Sequence, residues 1–358
     1  MANDNRLAAI REQLLHAAGK GQKLRIRGNG SKHWYGNAGH FEFLDVAAYA
    51  GIINYDPAEL VITAACGTPL NEIDQALAER HQQLGFEPPD FDQQASIGGA
   101  VAAGLSGPGR MSGGALKDSL LGAVVMNGEG QILKFGGQVM KNVAGYDVAR
   151  LMSGSMGTLG IILQVSLKVM PRPVSSSTLV LRCDERQALA MFDELRPKTL
   201  PITASVWHAG KCYLRLSGAA AAVKLAQDHI AGELMPAEEA EAFWKRLRDQ
   251  THELFQHSNE QTLWRLSLPA ETPPMHLSES TLLEWQGQQR WLFSAEPAEK
   301  IRTAAASAGG HATAFRNPPE GHEVFSAPGP VQLNIQRRLK RSFDPNAVFD
   351  GSRLYRQL

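Results

Sequence analysis

The chain has 358 residues, of which 43% are apolar and 20% are charged, values typical of a folded globular protein. At about 150 residues per domain, this length predicts two or three domains. Lys plus Arg and Asp plus Glu both number 36, so no long-range field favours binding to nucleic acid or to an anionic membrane.

The sequence predicts neither export nor membrane insertion. Its first residues, MANDNRLAAIREQLLHAAG, are charged throughout and lack the apolar core of a signal peptide. The longest apolar stretches, near 98–105 and 159–170, are shorter than the roughly 20 residues of a transmembrane helix. We therefore expect a cytoplasmic protein that meets a membrane only indirectly. Cys66, Cys183 and Cys212 show no CxxC spacing, so neither a disulfide framework nor an iron–sulfur cluster held by this chain is expected.

The first half of the chain alternates secondary-structure elements with glycine-rich turns. Thr68 suits a helix N-cap and Pro69 the first helical position. The segment NGEG at 127–130 is typical of a hairpin turn. In chain order, the patterns predict a helix over 7–15, strands over 23–27, 41–46 and 60–65, a helix from Thr68, hairpin strands over 120–126 and 131–135, and a strand over 161–169.

Pro171 and Pro173 mark a boundary, after which glycine becomes less frequent. The second half predicts, in order, a strand over 178–182, a helix over 185–195, a hairpin over 203–216, helices over 219–231 and 237–255, strands over 262–268 and 281–294, and a helix over 297–308. This order is typical of a separate α+β domain with an antiparallel sheet.

Three tracts of small residues are the most informative feature: Gly28–Lys32, Ser96–Gly104 and Gly154–Gly160. A diphosphate is held best by several backbone N–H groups, which glycine presents without a Cβ in the way. One such tract is weak evidence, because glycine turns occur in every mixed fold. Three tracts together predict that a diphosphate-containing ligand approaches the backbone.

Other sites are less well supported by the sequence. A Rossmann dinucleotide site needs GxGxxG between a strand and its helix, whereas Gly28 and Gly30 lack the third glycine and Gly154–Gly160 leads into a strand. An NAD-dependent dehydrogenase is thus a disfavoured alternative. The sequence contains no GxxxxGK[ST], HExxH or GxSxG motif, and its 11 histidines form no ligand pair on a predicted helix.

Four ordered segments resemble the FAD-binding flavoproteins related to vanillyl-alcohol oxidase: RGNGSK, DFDQQASIGGAVAAGLSGPGR, LGAVVMNGEGQIL and KNVAGYDVARLMSGSMGTLGII. More narrowly, KNVAGYD, WRLSLP, GGHATAFR and LKRSFDPNAVFDGSRLY are similar to the smaller FAD-binding E subunits of bacterial glycolate oxidases. The resemblance implies an α+β fold: a two-subdomain PCMH-type FAD-binding domain over 1–173, an α+β cap domain with an antiparallel sheet over 174–325, and a C-terminal segment over 326–358 that returns to the FAD domain.

The resemblance also implies a function and partners. It implies oxidation of glycolate, a 2-hydroxy acid, to glyoxylate beside a larger flavin subunit and an iron–sulfur subunit, with electrons passed to the respiratory chain. Some relatives attach flavin through a histidine of the first loop, where this chain has Ser31 and Lys32, so FAD is expected to be noncovalent. The residues implied to bind the diphosphate are Arg27, Gly28, Asn29, Gly30, Ser31, Lys32, Ser96, Ile97, Gly98, Gly99 and Ala103, and those implied to line the adenosine or ribityl side are Gly157, Thr158, Gly160 and Ile161.

Substrate oxidation needs a cation for the carboxylate and a base for the proton. Arg265 and Arg316 are candidates for the cation, and His311 is the candidate base. Larger hydroxy-acid dehydrogenases of the family carry an HxGDGNxH segment, for which GGHATAFR offers only His311 and Arg316. Two hypotheses therefore stay open: a catalytic flavin subunit, or a flavin-bearing or scaffold subunit that assists a catalytic partner.

Overall fold

The computed structural model describes residues 2–39, 41–91, 95–137, 147–256, 261–278 and 280–358. Its Cα positions form two compact units. Unit 1 comprises Met1–Leu105, Ala115–Arg172 and Ala327–Leu358, and unit 2 comprises Ser106–Gly114 and Pro173–Ser326. The grouping of Ser106–Gly114 with the second half of the chain has no counterpart in the sequence pattern. Most of the KNVAGYD segment lies outside the described residues.

Unit 1 combines short helices with two sheets. Its helices are α1 (Ala2–Gly19), α2 (Leu70–Ala78) and α3 (Ile97–Ala103), with α5 (Leu116–Ser119) and α10 (Pro330–Phe343) following, while α4 (Arg110–Gly113) belongs to unit 2. Its strands are β1 (Leu24–Arg27), β2 (Glu42–Asp45), β3 (Ile52–Asp56), β4 (Val61–Ala65), β5 (Gln82–Leu84), β6 (Leu120–Met126), β7 (Ile132–Gly136) and β8 (Ile161–Pro171).

The two sheets of unit 1 differ in direction. β1 and β2 form a parallel pair, and the six-stranded sheet has the order β3-β4-β8-β6-β7, with β5 also paired to β8. All described pairings of the larger sheet are antiparallel. Every residue of β4 is buried, as is most of β8, so these two strands lie at the centre of the unit's core.

Unit 2 is built on one eight-stranded antiparallel sheet with the order β12-β9-β11-β10-β14-β15-β13-β16. The strands are β9 (Ser175–Arg182), β10 (Ile202–His208), β11 (Lys211–Gly218), β12 (Glu233–Leu234), β13 (Thr262–Ser267), β14 (Thr281–Glu284), β15 (Gln289–Ser294) and β16 (His311–Arg316). The remaining helices are α6 (Glu185–Leu195), α7 (Ala220–Ile230), α8 (Ala237–Arg248) and α9 (Ala298–Ser307).

The helices of unit 2 cover both faces of its sheet. Apolar residues of α6, α7 and α9 pack on one face, where strand residues such as Leu214 and Trp264 point. α8 lies on the other face, where Trp244 Nε1 donates to Thr178 Oγ1 over 2.8 Å and the Phe243 ring stacks 4.3 Å from Tyr213. The antiparallel α+β architecture predicted for this half is confirmed.

Three local predictions were wrong. The helix predicted over 237–255 ends at Arg248 as α8, and a separate short 3-10 helix follows at Glu253–Gln256. Pro69, not Thr68, occupies the N-cap position of α2, and the Thr68 hydroxyl instead bonds the Ala65 and Gly51 backbone. The run 281–294 is two strands, because Trp285 and Gln286 turn the chain with φ of 53° at both. Within the described ranges, no helix is long and apolar enough to cross a bilayer.

Candidate cofactor site

The first two small-residue tracts lie where a strand and a helix meet. The Gly28–Lys32 tract directly follows β1, and the Ser96–Gly104 tract forms α3. Ser96 is the N-cap of α3, and its Oγ accepts a hydrogen bond from Gly99 N over 3.4 Å. Gly104 ends the helix with φ of 63°, a left-handed conformation that glycine adopts without strain.

The third tract joins the other two. Gly154 N donates to Val101 O over 3.0 Å and Met156 N donates to Ala102 O over 2.8 Å, which attaches the third tract to α3. A Cβ built on Gly28 would lie 2.7 Å from Ser96 Oγ, so the first tract can approach α3 only without a side chain at that position. Three segments distant in sequence thus meet at one place.

A cavity of about 780 Å³, including its open mouth, lies at this meeting point. Most of the predicted cofactor residues line it: Arg27, Gly28, Asn29, Gly30, Ser31, Lys32, Ser96, Gly98, Gly99, Ala103, Gly157 and Gly160. Three others do not. Ile97 and Ile161 are fully buried in the core, and the buried Thr158 hydroxyl donates to Ser155 O over 2.7 Å. None of these three residues lines the cavity.

Four arginine and lysine side chains line the cavity, and the described lining residues include no carboxylate. Two of the four are paired with carboxylates that do not line the cavity. Arg25 forms a buried ion pair with Asp350 at 2.6 Å, and Arg27 forms an exposed pair with Asp45 at 3.0 Å. The other two cations are Lys32 and Arg353, and neither forms an ion pair with a described residue.

Lys32 is buried and Arg353 is part-buried, and the loss of contact with water makes both charges costly in the absence of an anion. Lys32 is 7% exposed, and its Nζ donates to Ser31 Oγ over 3.0 Å. Burial lowers the pKa of Lys32 to about 8, with the charge of Asp90 opposing and that of Arg353 adding to the shift. Desolvation, together with the charge of Arg25 and opposed by that of Asp350, lowers the pKa of Arg353 to about 10. A dianionic group in the cavity would compensate both charges.

The C-terminal segment contributes to this cavity. The sequence analysis predicted that this segment returns to the FAD domain, but it named no cofactor-binding residue within it. Leu24 N donates to Val348 O over 2.7 Å and Asp350 N to Leu24 O over 2.9 Å, so the segment runs beside β1. Lys340 Nζ donates to Thr158 O and Phe349 O, which ties the segment to the third tract as well. The only signal in the sequence was the DPNAVFDGSRLY ending.

The candidate substrate residues lie in unit 2. Arg265 pairs with Thr313 between β13 and β16, which places Arg265 and His311 on the same face of the sheet. His311 is exposed at the start of β16, and desolvation together with the charge of Arg265 lowers the pKa of its imidazole. Arg316 lies at the other end of β16, where its Nη2 donates to Gln250 Oε1 over 3.0 Å. Arg265 and His311 are therefore close to each other, whereas Arg316 is separated from His311 by the length of the strand.

The cavity fits FAD, because backbone amides and the cations Lys32 and Arg353 suit its diphosphate. A family model described as an FAD binding domain matches residues 6–136, which include the first two tracts. The fold is also similar to that of alkyldihydroxyacetonephosphate synthase, with a TM-score of 0.67 and 14% identity over 95% of this chain and 74% of that one. At this identity, the similarity concerns the fold alone. Fold and family match define an FAD-binding protein.

Comparison with individual sequences narrows this class. Glycolate oxidase subunit GlcE of Escherichia coli is 41% identical over 98% of this chain and 97% of that protein. A D-lactate dehydrogenase of Anaerostipes hadrus is 36% identical, over 36% of this chain and 27% of that protein. Glycolate oxidase subunit GlcD of Bacillus subtilis is 34% identical, over 33% of this chain and 26% of that protein. The chain belongs to the GlcE family.

Proposed function

We propose that this chain is the noncovalent FAD-binding subunit of a complex that oxidises glycolate to glyoxylate. The near full-length similarity to a glycolate oxidase subunit supports the substrate and the complex. The convergence of three small-residue tracts on one cavity, with buried Lys32 and part-buried Arg353 in its lining, supports the cofactor site. A larger flavin subunit and an iron–sulfur subunit are the proposed partners, and the latter passes electrons towards the respiratory chain.

In this proposal, the three tracts hold the FAD diphosphate through backbone N–H groups, and Lys32 neutralises one of its charges. Gly157 and Gly160 leave room for the adenosine or ribityl part, while Thr158 and Ile161 support them. His33 lies at the cavity with its Nδ1 2.8 Å from Gly30 O, and we expect no covalent bond to the flavin.

The proposed substrate site uses two side chains of unit 2 that lie near each other, Arg265 and His311. Arg265 binds the carboxylate of glycolate, and neutral His311 takes the hydroxyl proton. FAD, when bound, would supply the acceptor for the hydride of the α-carbon. Arg316 is the second candidate for the carboxylate, but Arg265 is favoured because it lies next to His311.

Purification of the chain tests the proposal directly. We expect a yellow protein with about one FAD per chain, whose absorbance near 450 nm is bleached by glycolate when the partner subunits are present. Failure of the purified chain to take up FAD at saturating concentration would contradict the proposed cofactor role.

A non-catalytic, flavin-bearing subunit is the second candidate. The matching regions of the D-lactate and D-2-hydroxyglutarate dehydrogenases cover only 36% and 40% of this chain, which favours a shared FAD domain more than a shared active site. A yellow chain whose flavin is reduced only through a catalytic partner would support this role. Loss of bleaching in His311→Asn, with FAD content unchanged, would support the catalytic role.

A further inference from the structure

Arg353 lines the cavity, although it lies near the C-terminus and the first loop lies near the N-terminus. Its Nε donates to Tyr35 O over 3.2 Å and its Nη2 donates to Lys32 O over 3.0 Å, so the guanidinium is fixed against the first loop. A Cβ built on Gly36 would lie 2.8 Å from Arg353 O, which shows how closely the two segments pack. The side chain is thus held at the cavity wall by two backbone carbonyls.

The carbonyl bonds position the guanidinium but do not neutralise it. The carboxylate closest in sequence, Asp350, is already bonded to Arg25 through Nε at 3.0 Å and Nη2 at 2.6 Å. The charge of Asp350 favours the cationic form of Arg353, but the two side chains form no ion pair within the described part of the chain. A part-buried guanidinium that is held by two backbone carbonyls, at a cavity whose described lining contains no carboxylate, is suited to bind an anionic oxygen.

We propose that Arg353 binds the diphosphate of FAD together with Lys32, so that the C-terminal segment is part of the cofactor site. This inference rests on the proposed FAD site and adds a charged ligand to its backbone donors. The positive charges of Lys32 and Arg353 match the two negative charges of a diphosphate. Arg353 reaches the cavity only when Leu354 and the residues before it are docked on the first loop.

Docking of the C-terminal segment and binding of FAD are consequently coupled. The segment is held by the Arg25–Asp350 ion pair and by Asn37, whose Nδ2 donates to Ser352 O over 2.9 Å and whose N donates to Arg353 O over 2.9 Å. If FAD bonds Arg353, then FAD also stabilises the docked segment, because linkage between two binding events is reciprocal. Hydrogen exchange of residues 349–358 should slow when FAD binds.

Arg353→Met tests the charged contact, with Arg338→Met as the matched control because Arg338 is exposed on α10. Affinities of the full chain are measured for FAD and for riboflavin, which lacks phosphate. We expect Arg353→Met to weaken FAD binding by about 10- to 100-fold, the usual effect of losing a charge-assisted hydrogen bond, and to leave riboflavin affinity within about threefold. Arg353→Lys should recover part of the FAD affinity, and Arg338→Met should bind FAD like the wild type.

The outcomes separate the inference from the proposed function. If wild-type protein binds no FAD, the proposed cofactor role fails first. If wild type binds FAD and Arg353→Met binds it equally well, only the role of Arg353 is overturned. Equal losses for FAD and riboflavin would show that Arg353 merely supports the loop, and unchanged exchange at 349–358 on FAD binding would contradict the coupling.

Discussion

Lys32→Met should stabilise the FAD-free protein while weakening FAD binding. The Lys32 pKa falls from 10.5 to about 8 because the side chain is buried, and a pKa change of one unit corresponds to about 1.4 kcal/mol. The charged form therefore costs the folded protein about 3 kcal/mol below pH 8. Loss of the hydrogen bond to Ser31 and of the cation–π contact with the Phe91 ring offsets about 1–2 kcal/mol of this, which leaves a net gain of about 1–2 kcal/mol at pH 7.

The sign of the pH dependence follows from proton binding. Between pH 8 and 10.5, the folded protein loses the Lys32 proton while the unfolded chain keeps it. Because the unfolded state then binds more protons, the free energy of unfolding rises with pH in this window. The advantage of Lys32→Met over the wild type should accordingly shrink as the pH rises through the window. FAD affinity of the wild type should decline over the same range, since the neutral amine no longer attracts the diphosphate.

Urea unfolding of the FAD-free proteins, followed by far-UV circular dichroism at about pH 7 and about pH 10, measures the stability difference. Fluorescence titration measures FAD affinity, which should fall by about 10- to 100-fold in Lys32→Met. Lys20→Met is the control, because Lys20 is exposed just after α1. A Lys32→Met protein that is no more stable than the wild type at pH 7 would refute the argument that the buried charge of Lys32 destabilises the FAD-free protein.

Three further outcomes are expected. Arg25→Met should destabilise the protein by about 3–5 kcal/mol because buried Asp350 loses its partner, whereas Arg27→Met, from an exposed pair, should cost at most about 1 kcal/mol in the same urea assay. In the complex, His311→Asn should lower kcat/KM for glycolate by about 10²- to 10⁴-fold, and Arg265→Lys should mainly raise KM; unchanged steady-state kinetics would exclude both roles. Acid denaturation should release all flavin into the supernatant, and flavin that stays with the pellet would indicate a covalent bond.

Local sequence patterns determined most elements of this protein. The NGEG turn between two apolar runs became the β6–β7 hairpin, and the helix predicted over 185–195 has the bounds of α6. Such elements depend on neighbouring residues, through turn geometry and the spacing of apolar side chains. The small-residue tracts also indicated where a ligand approaches the backbone. Close approach of a ligand to backbone N–H groups requires positions without a Cβ, and this requirement does not depend on the rest of the fold.

Only the tertiary structure decided which charges meet. Arg353 lies 321 positions from Lys32 in sequence, yet its guanidinium bonds the Lys32 carbonyl. Likewise, the pairing of β13 with β16 put Arg265 beside His311 and left Arg316 at the far end of the strand. The spacing of apolar residues in the sequence predicts which face of a helix or strand is buried. It does not predict which distant element packs against that face. The burial of Lys32, and therefore its pKa, exists only after segments from both ends of the chain have packed together.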